Sequence, residues 1–154
     1  RAVLDASRLA GIDTFRASNN LIATLQRGGF LAAAEEEALI ALKHHTSRMS
    51  RALLLHRLAE TRIAMGDFER AIDPANESLQ LHESLGGGWR VLDGRLTCAW
   101  IEYHVGESGE AIVVFATVLE DLRSNPAVPA NYRKAAEARF STMTRARDAV
   151  DRER

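Results

Sequence analysis

The sequence predicts an all-α fold, and three observations support that prediction. Alanine, leucine, arginine and glutamate, which all favour helices, dominate the 154 residues. Proline occurs only at Pro74, Pro126 and Pro129. The β-branched residues show no sustained alternation of period two, which a half-buried strand would produce. We therefore expect amphipathic helices joined by short turns.

Composition and charge indicate one globular domain over residues 1–154. Hydrophobic residues make up 46% and charged residues 27% of the chain, as in folded domains with a core. The net charge of −1 does not favour nucleic acid or an anionic membrane surface. A single cysteine fits a reducing, cytoplasmic compartment, and the longest apolar run, 111–116, is too short to span a membrane. Because the chain begins with arginine and has no leader, we expect it to be a fragment of a longer protein.

Two helices are predicted in the first third of the chain, at 14–27 and 31–44. Phe15, Ile22 and Leu25 recur at helical spacing along the first of them. A pair of glycines then separates the two helices, because glycine adopts the left-handed conformation at a helix end at little cost.

The third and fourth helices are predicted at 47–65 and 69–85. Gly66 lies between them, and Asp67 is a suitable N-cap for the fourth helix. Pro74 falls about five residues into that helix, where proline removes a backbone hydrogen bond and bends the helix. Either the fourth helix starts later than predicted, or it is bent at this residue.

Three further helices are predicted at 90–105, 109–123 and 130–150. The run 112–115 has the propensity of a strand. However, the apolar residues continue at helical spacing through Val118 and Leu122, which favours a helix. Pro126 and Pro129 separate the last two helices.

The glycines mark an internal repeat. Gly28, Gly66 and Gly106 lie 38 and 40 residues apart, and each separates two predicted helices. An alanine follows each of them after five residues, at Ala33, Ala71 and Ala111. An aromatic residue follows the first two, at Phe30 and Phe68. We interpret this pattern as a helix–turn–helix unit that occurs three times, with structural roles for these junction residues.

The stretch MGDFERAIDPANESLQL resembles the tetratricopeptide repeat. That family has a glycine, a small polar residue and an aromatic at the turn between two helices, and an alanine three residues later, where the helices cross closely. The residues at these places are Gly66, Asp67, Phe68 and Ala71 in one unit and Gly28, Gly29, Phe30 and Ala33 in another. Four features depart from the family. Ser108 replaces the aromatic of the third unit, and Leu21 replaces the small residue expected in the first helix of the first unit. Pro74 is the third departure, and a period of about 40 residues instead of the usual 34 is the fourth.

The longer period resembles a subclass of these repeats that is common in bacterial signal-transduction ATPases and transcription regulators. The segment LHESLGGGWRVLDGRLTCAWIEYHVGESGEAI is similar to that subclass, with a glycine-rich link before a tryptophan. The resemblance implies a right-handed α-solenoid in which repeats at about 14–45, 47–86 and 90–124 precede a capping helix at about 130–150. It also implies that the chain is the interaction or regulatory region of a larger bacterial regulator.

In this family the first helix of each repeat lines a concave groove that binds partners. Counting back from the turn glycines of the second and third repeats gives the expected groove residues: Leu53, His56, Glu60, Ile63, Asp93, Leu96, Trp100, Tyr103 and His104. Trp100 and Tyr103 are the strongest candidates for partner contacts, because large aromatic residues often anchor interfaces. The alternative is that one or both pack between neighbouring helices.

We therefore expect a non-catalytic module that binds a protein or peptide partner in this groove. The alternative is a ligand-sensing domain that binds a small molecule or a signalling peptide there. A scaffold would have an open groove, whereas a sensor of small molecules would need a closed apolar pocket. Neither hypothesis requires a cofactor.

Catalytic and metal chemistry finds little support in the sequence. No two of the five histidines are separated by three residues, and no cysteine pair accompanies them, so no metal site is expected. Cys98 is expected to be buried and inert. The glycines at 86–88 lack the lysine and the hydroxyl of a phosphate-binding loop. The arginines of the last helix fit the polar outer face of a capping helix better than a nucleic-acid stripe.

Overall fold

The computed structural model describes residues 2–106 and 108–153, and the side chains of residues 14–106 and 108–153. The described residues form helices and no strand, which confirms the all-α prediction. The helices are α1 (Ala2–Arg27), α2 (Leu31–His44), α3 (Arg48–Ala64), α4 (Phe68–Ser84), α5 (Trp89–Val105), α6 (Ser108–Ser124) and α7 (Ala130–Glu153).

The helix ends follow local capping chemistry. Ser47 precedes α3, and its side chain accepts a hydrogen bond from the backbone N–H of Ser50 at 3.1 Å. Asp67 caps α4 as expected, because its Oδ1 accepts from the backbone N–H of Arg70 at 3.3 Å. Glu107, in the turn before α6, lies outside the described residues.

The chain divides into two compact units, and the boundary lies inside α4: the first unit ends at Leu81 and the second begins at His82. In the first unit α1 packs against both α2 and α3, and α2 packs against α3. One core of this unit consists of Ile22, Ala34, Ala38, Ala41, Leu54 and Leu58. The grouping of the chain into three repeats of one domain stays a prediction.

In the second unit α5, α6 and α7 pack against one another around Phe115, Leu119, Leu122 and Met143, which are fully buried. Two ring contacts show that α5 and α7 run side by side in the same direction. Near the start of both helices, the rings of Trp89 and Tyr132 lie 4.7 Å apart. Further along, Arg139 of α7 lies over the Trp100 ring of α5.

The first junction has a different register from the one we predicted. Gly29, not Gly28, has the positive φ of 77°, and it corresponds to Gly66 with φ of 78°. Ala34 is fully buried five residues after Gly29, just as Ala71 is fully buried five residues after Gly66. Our expectation that Ala33 closes this helix pair is therefore wrong, because Ala33 is exposed.

Phe30 does not wedge between α1 and α2. Its side chain is 65% exposed, and its ring lies against the backbone of Gly28, where an added Cβ would come within 2.9 Å of the ring. Gly28 thus leaves space for this ring contact, and it does not adopt the left-handed conformation. At the third junction Ala111 is buried as expected, although Gly106 has φ of −130° and needs no left-handed conformation.

Pro74 lies well inside α4, so the alternative that the fourth helix starts late is wrong. Proline has no backbone N–H, and the carbonyl that it would normally bond in a helix is that of Arg70. The guanidinium of Arg62 in α3 supplies the missing donor: its Nη1 donates to the Arg70 carbonyl at 2.9 Å.

Glu35 holds Arg62 in this position. Its Oε1 accepts from Nε of Arg62 and from Nη2 of Arg70, both at 2.8 Å. The side chains of Glu35 and Arg62 are only 14% and 13% exposed, so this ion pair is shielded from solvent. The network therefore connects α2, α3 and the first turn of α4 around Pro74.

Candidate functional site

Three ring side chains of α5, which we call the aromatic patch, form the main candidate site: Trp100, Tyr103 and His104. They lie at positions i, i+3 and i+4, which share one face of a helix. Trp100 and Tyr103 are half-buried, packing against the core of the second unit, whereas His104 is exposed. The sequence left open whether the two large aromatics belong to a surface or to the core. In the structure they contribute to both.

The rings of the aromatic patch contact one another closely. Trp100 and Tyr103 are nearly parallel, with centroids 5.8 Å apart. The imidazole of His104 stands edge-on to both, at 4.5 Å from Trp100 and 5.1 Å from Tyr103. The three rings therefore pack as one cluster on the surface of α5.

Arg139 of α7 packs against the aromatic patch. Its guanidinium carbon lies 5.6 Å from the centroid of the Trp100 ring, a cation–π distance. Burial, and then the charge of Arg139, lowers the pKa of His104 below its ordinary value of 6.5. The lowered pKa favours the neutral imidazole, which does not repel Arg139.

A groove of about 250 Å³ adjoins the aromatic patch at the end of α5, and we call it the end groove. It is lined by Tyr103, Ser108, Gly109, Ile112, Ala146, Arg147, Val150 and Asp151. Tyr103 belongs to both the patch and the groove, so the two surfaces are continuous. Val150 is 50% exposed, and the groove is consequently open to solvent on the side of α7.

The other expected groove residues fall into two classes. Leu53, His56, Glu60 and Asp93 are half-buried on their helices. Leu96 is only 2% exposed and packs in the core of the second unit, so our expectation that it lines a groove is wrong. Ile63 is likewise buried, at 9% exposure. A periodic count along a helix selects a face, but burial depends on the neighbouring helix that covers that face.

Polar side chains of α1 and α3 in the first unit bond to one another. Nε2 of Gln26 donates to Oγ1 of Thr61 at 2.8 Å and to the carbonyl of Arg57 at 3.1 Å. Nε of Arg57 donates to Oδ1 of Asn19 at 3.2 Å. These bonds occupy the amide N–H groups of Gln26 and the Nε donor of Arg57 within the first unit.

The sequence did not reveal the contribution of α7. Arg139, Ala146, Arg147 and Val150 lie beside the aromatic patch or the end groove, although we interpreted α7 as a capping helix with a polar outer face. The order of the helices along the chain was the one sequence feature that could have indicated this position of α7. In a chain of stacked helix pairs, the first helix of the next pair lies beside the first helix of the previous one.

Other chemistry is limited in the described residues. Burial raises the pKa of the Cys98 thiol to about 11, with a smaller contribution from Glu83, so the thiol is protonated near pH 7. The described histidine, cysteine and acidic residues include no group of three arranged to hold a metal ion. In the same part of the chain, every helix is too short or too polar to cross a bilayer.

Comparisons of the chain with protein-family models, with curated proteins and with solved structures find no match in any of the three.

Proposed function

We propose that the chain is a non-catalytic binding module and that the aromatic patch of its second unit anchors a peptide or protein partner. The observation that carries this proposal is the cluster of Trp100, Tyr103 and His104 on one face of α5, where all three side chains remain at least partly exposed. Tryptophan and tyrosine are the residues that most often dominate interface energetics.

The helix arrangement supports a tetratricopeptide-like solenoid as the architecture of this module. Within the second unit, α5 and α7 lie side by side in the same direction while α6 packs against both. This is the relation that successive first helices have in such a solenoid. In keeping with the sequence resemblance, we also propose that the chain is the interaction or regulatory region of a larger cytoplasmic bacterial regulator.

The alternative function, a sensor of small molecules, receives less support from the end groove. Pockets for small molecules usually enclose about 300–1,000 Å³ and cover most of the ligand. The end groove encloses about 250 Å³ and is open beside Val150 and the exposed Arg147. An open surface of this kind suits a partner that covers it from outside.

Selection of peptides tests the proposal. A phage-displayed library of random peptides is panned on the purified chain, and the affinity of the enriched peptides is measured by calorimetry. We expect Trp100→Ala and Tyr103→Ala each to weaken binding about tenfold or more, because both remove an anchor. Val113→Ala is the matched control, since Val113 is 63% exposed on α6 and lies outside the patch and the groove.

Circular dichroism establishes that each variant keeps its helical content. If the enriched peptides bind the folded Trp100→Ala and Tyr103→Ala variants as tightly as the original chain, the aromatic patch is not the binding surface. If the library yields no peptide that binds, the proposal of a peptide-binding module is overturned.

A further inference from the structure

The end groove has the volume and the lining that suit one apolar side chain. Its lining includes the apolar side chains of Tyr103, Ile112 and Val150, and Gly109 and Ala146 line it with little or no side chain. A volume of about 250 Å³ is below the usual range for a whole small-molecule ligand. The continuity of the groove with the aromatic patch through Tyr103 places it next to the proposed anchor.

Two opposite charges stand on the rim of the end groove. Arg147 and Asp151 both line it and both are exposed. They lie four residues apart on α7, a spacing at which opposite charges are able to pair. Within the described part of the chain, however, neither side chain has a hydrogen bond or an ion pair, either with the other or with a third group. Both charges are therefore available to a partner.

We propose that the partner segment carries an apolar side chain for the end groove, with an acidic residue on one side of it for Arg147 and a basic residue on the other side for Asp151. This inference rests on the proposed function and adds the chemistry of the partner to it. The apolar side chain contributes affinity by leaving water. The two rim charges fix the direction in which the segment lies, because the reversed segment places like charges together.

If this inference is right, exchanging the two charges on the protein reverses the order of acidic and basic residues in the peptides that bind. We call that order the charge order. In the swapped variant, Arg147→Asp with Asp151→Arg, the net charge and the composition of the groove are unchanged. The same library is panned on the original chain and on this variant, and the enriched peptides are sequenced. We expect the original chain to enrich acid and base on fixed sides of an apolar residue, and the variant to enrich the opposite order.

The affinities of the enriched peptides for the original chain and for the swapped variant measure how much the two charges contribute. Peptides enriched on the original chain should bind the swapped variant about two- to fivefold more weakly for each ion pair, since exposed ion pairs contribute modestly. The matched control exchanges Arg145 and Asp148, which lie on α7 but do not line the groove. That control should keep both the charge order and the affinity of the original chain.

The outcomes separate this inference from the proposed function. If binding peptides depend on Trp100 but show no charge order, or the same order with the swapped variant, the inference about the end groove is overturned and the binding module stands. If no peptide binds, or if binding is independent of the aromatic patch, the proposed function falls and this inference falls with it.

Discussion

Among single residues, Arg62 has the clearest structural role. It donates to the Arg70 carbonyl, which Pro74 leaves without its helical partner, and it is held by Glu35. The sequence identified Pro74 as a conflict with the helical pattern but did not indicate its resolution. The compensating donor lies in another helix, and no local pattern connects it to the proline. The spacing of apolar residues along the sequence carries no information about long-range contacts of this kind.

A double-mutant cycle tests the role of Arg62. Arg62→Ala should lower the free energy of unfolding more with Pro74 in place than in a Pro74→Ala background, where the backbone N–H of the introduced alanine bonds the Arg70 carbonyl. We expect a coupling energy of about 0.5–1.5 kcal/mol, the usual net contribution of one hydrogen bond. Urea unfolding measures all four proteins.

Arg51 provides the control for this cycle. It also lies in α3 and pairs with α4, through Glu77 at 2.7 Å, but it has no bond to the Arg70 carbonyl. Arg51→Ala should therefore cost the same in both backgrounds. Equal costs of Arg62→Ala with and without the proline would show that Arg62 does not compensate for it.

At the scale of helices and turns, the sequence predicted which segments are helical but not the register of the first junction. The bounds of α2 were predicted to the residue, and those of α3 to α6 to within one residue at each end. Gly28 and Gly29 left two registers open, and the aromatic Phe30 favoured the wrong one. Burial of Ala34 fixes the register, since a small side chain there allows the close approach of α2 to its neighbours.

Two neighbouring alanines distinguish the registers experimentally. Ala34→Leu should lower the free energy of unfolding by about 1–3 kcal/mol, because Ala34 is fully buried and leucine overpacks its site. Ala33→Leu should change it by less than about 0.5 kcal/mol, because Ala33 is exposed and leucine is a good helix former. The opposite order of the two effects would restore the register that the sequence favoured.

At the scale of the whole molecule, each unit has its own hydrophobic core, and helices that are close in sequence form it. This local organisation made the fold class predictable, because adjacent amphipathic helices bury one another's apolar faces. The candidate site was less predictable. Trp100, Tyr103 and His104 were found from the repeat register, but Arg139 and Arg147 come from a helix without a recognisable repeat motif.

The local organisation predicts a local response to a core mutation. Phe115→Ala removes a fully buried ring of the second unit and should cost about 3–5 kcal/mol. Hydrogen exchange followed by mass spectrometry should then show the greatest acceleration in α5, α6 and α7. Val113→Ala on the same helix is the control and should leave exchange unchanged. Equal acceleration in α1, α2 and α3 would contradict a separate core.

The pairing of Arg62 with Pro74 has a consequence for the evolution of such a chain. A lineage that acquires the arginine first accepts the proline later with its backbone hydrogen bonds complete. A lineage that acquires the proline first passes through an intermediate in which one carbonyl of α4 has lost its helical donor. The arginine thus lowers the stability cost of the proline, and losing the arginine costs more stability while the proline is in place.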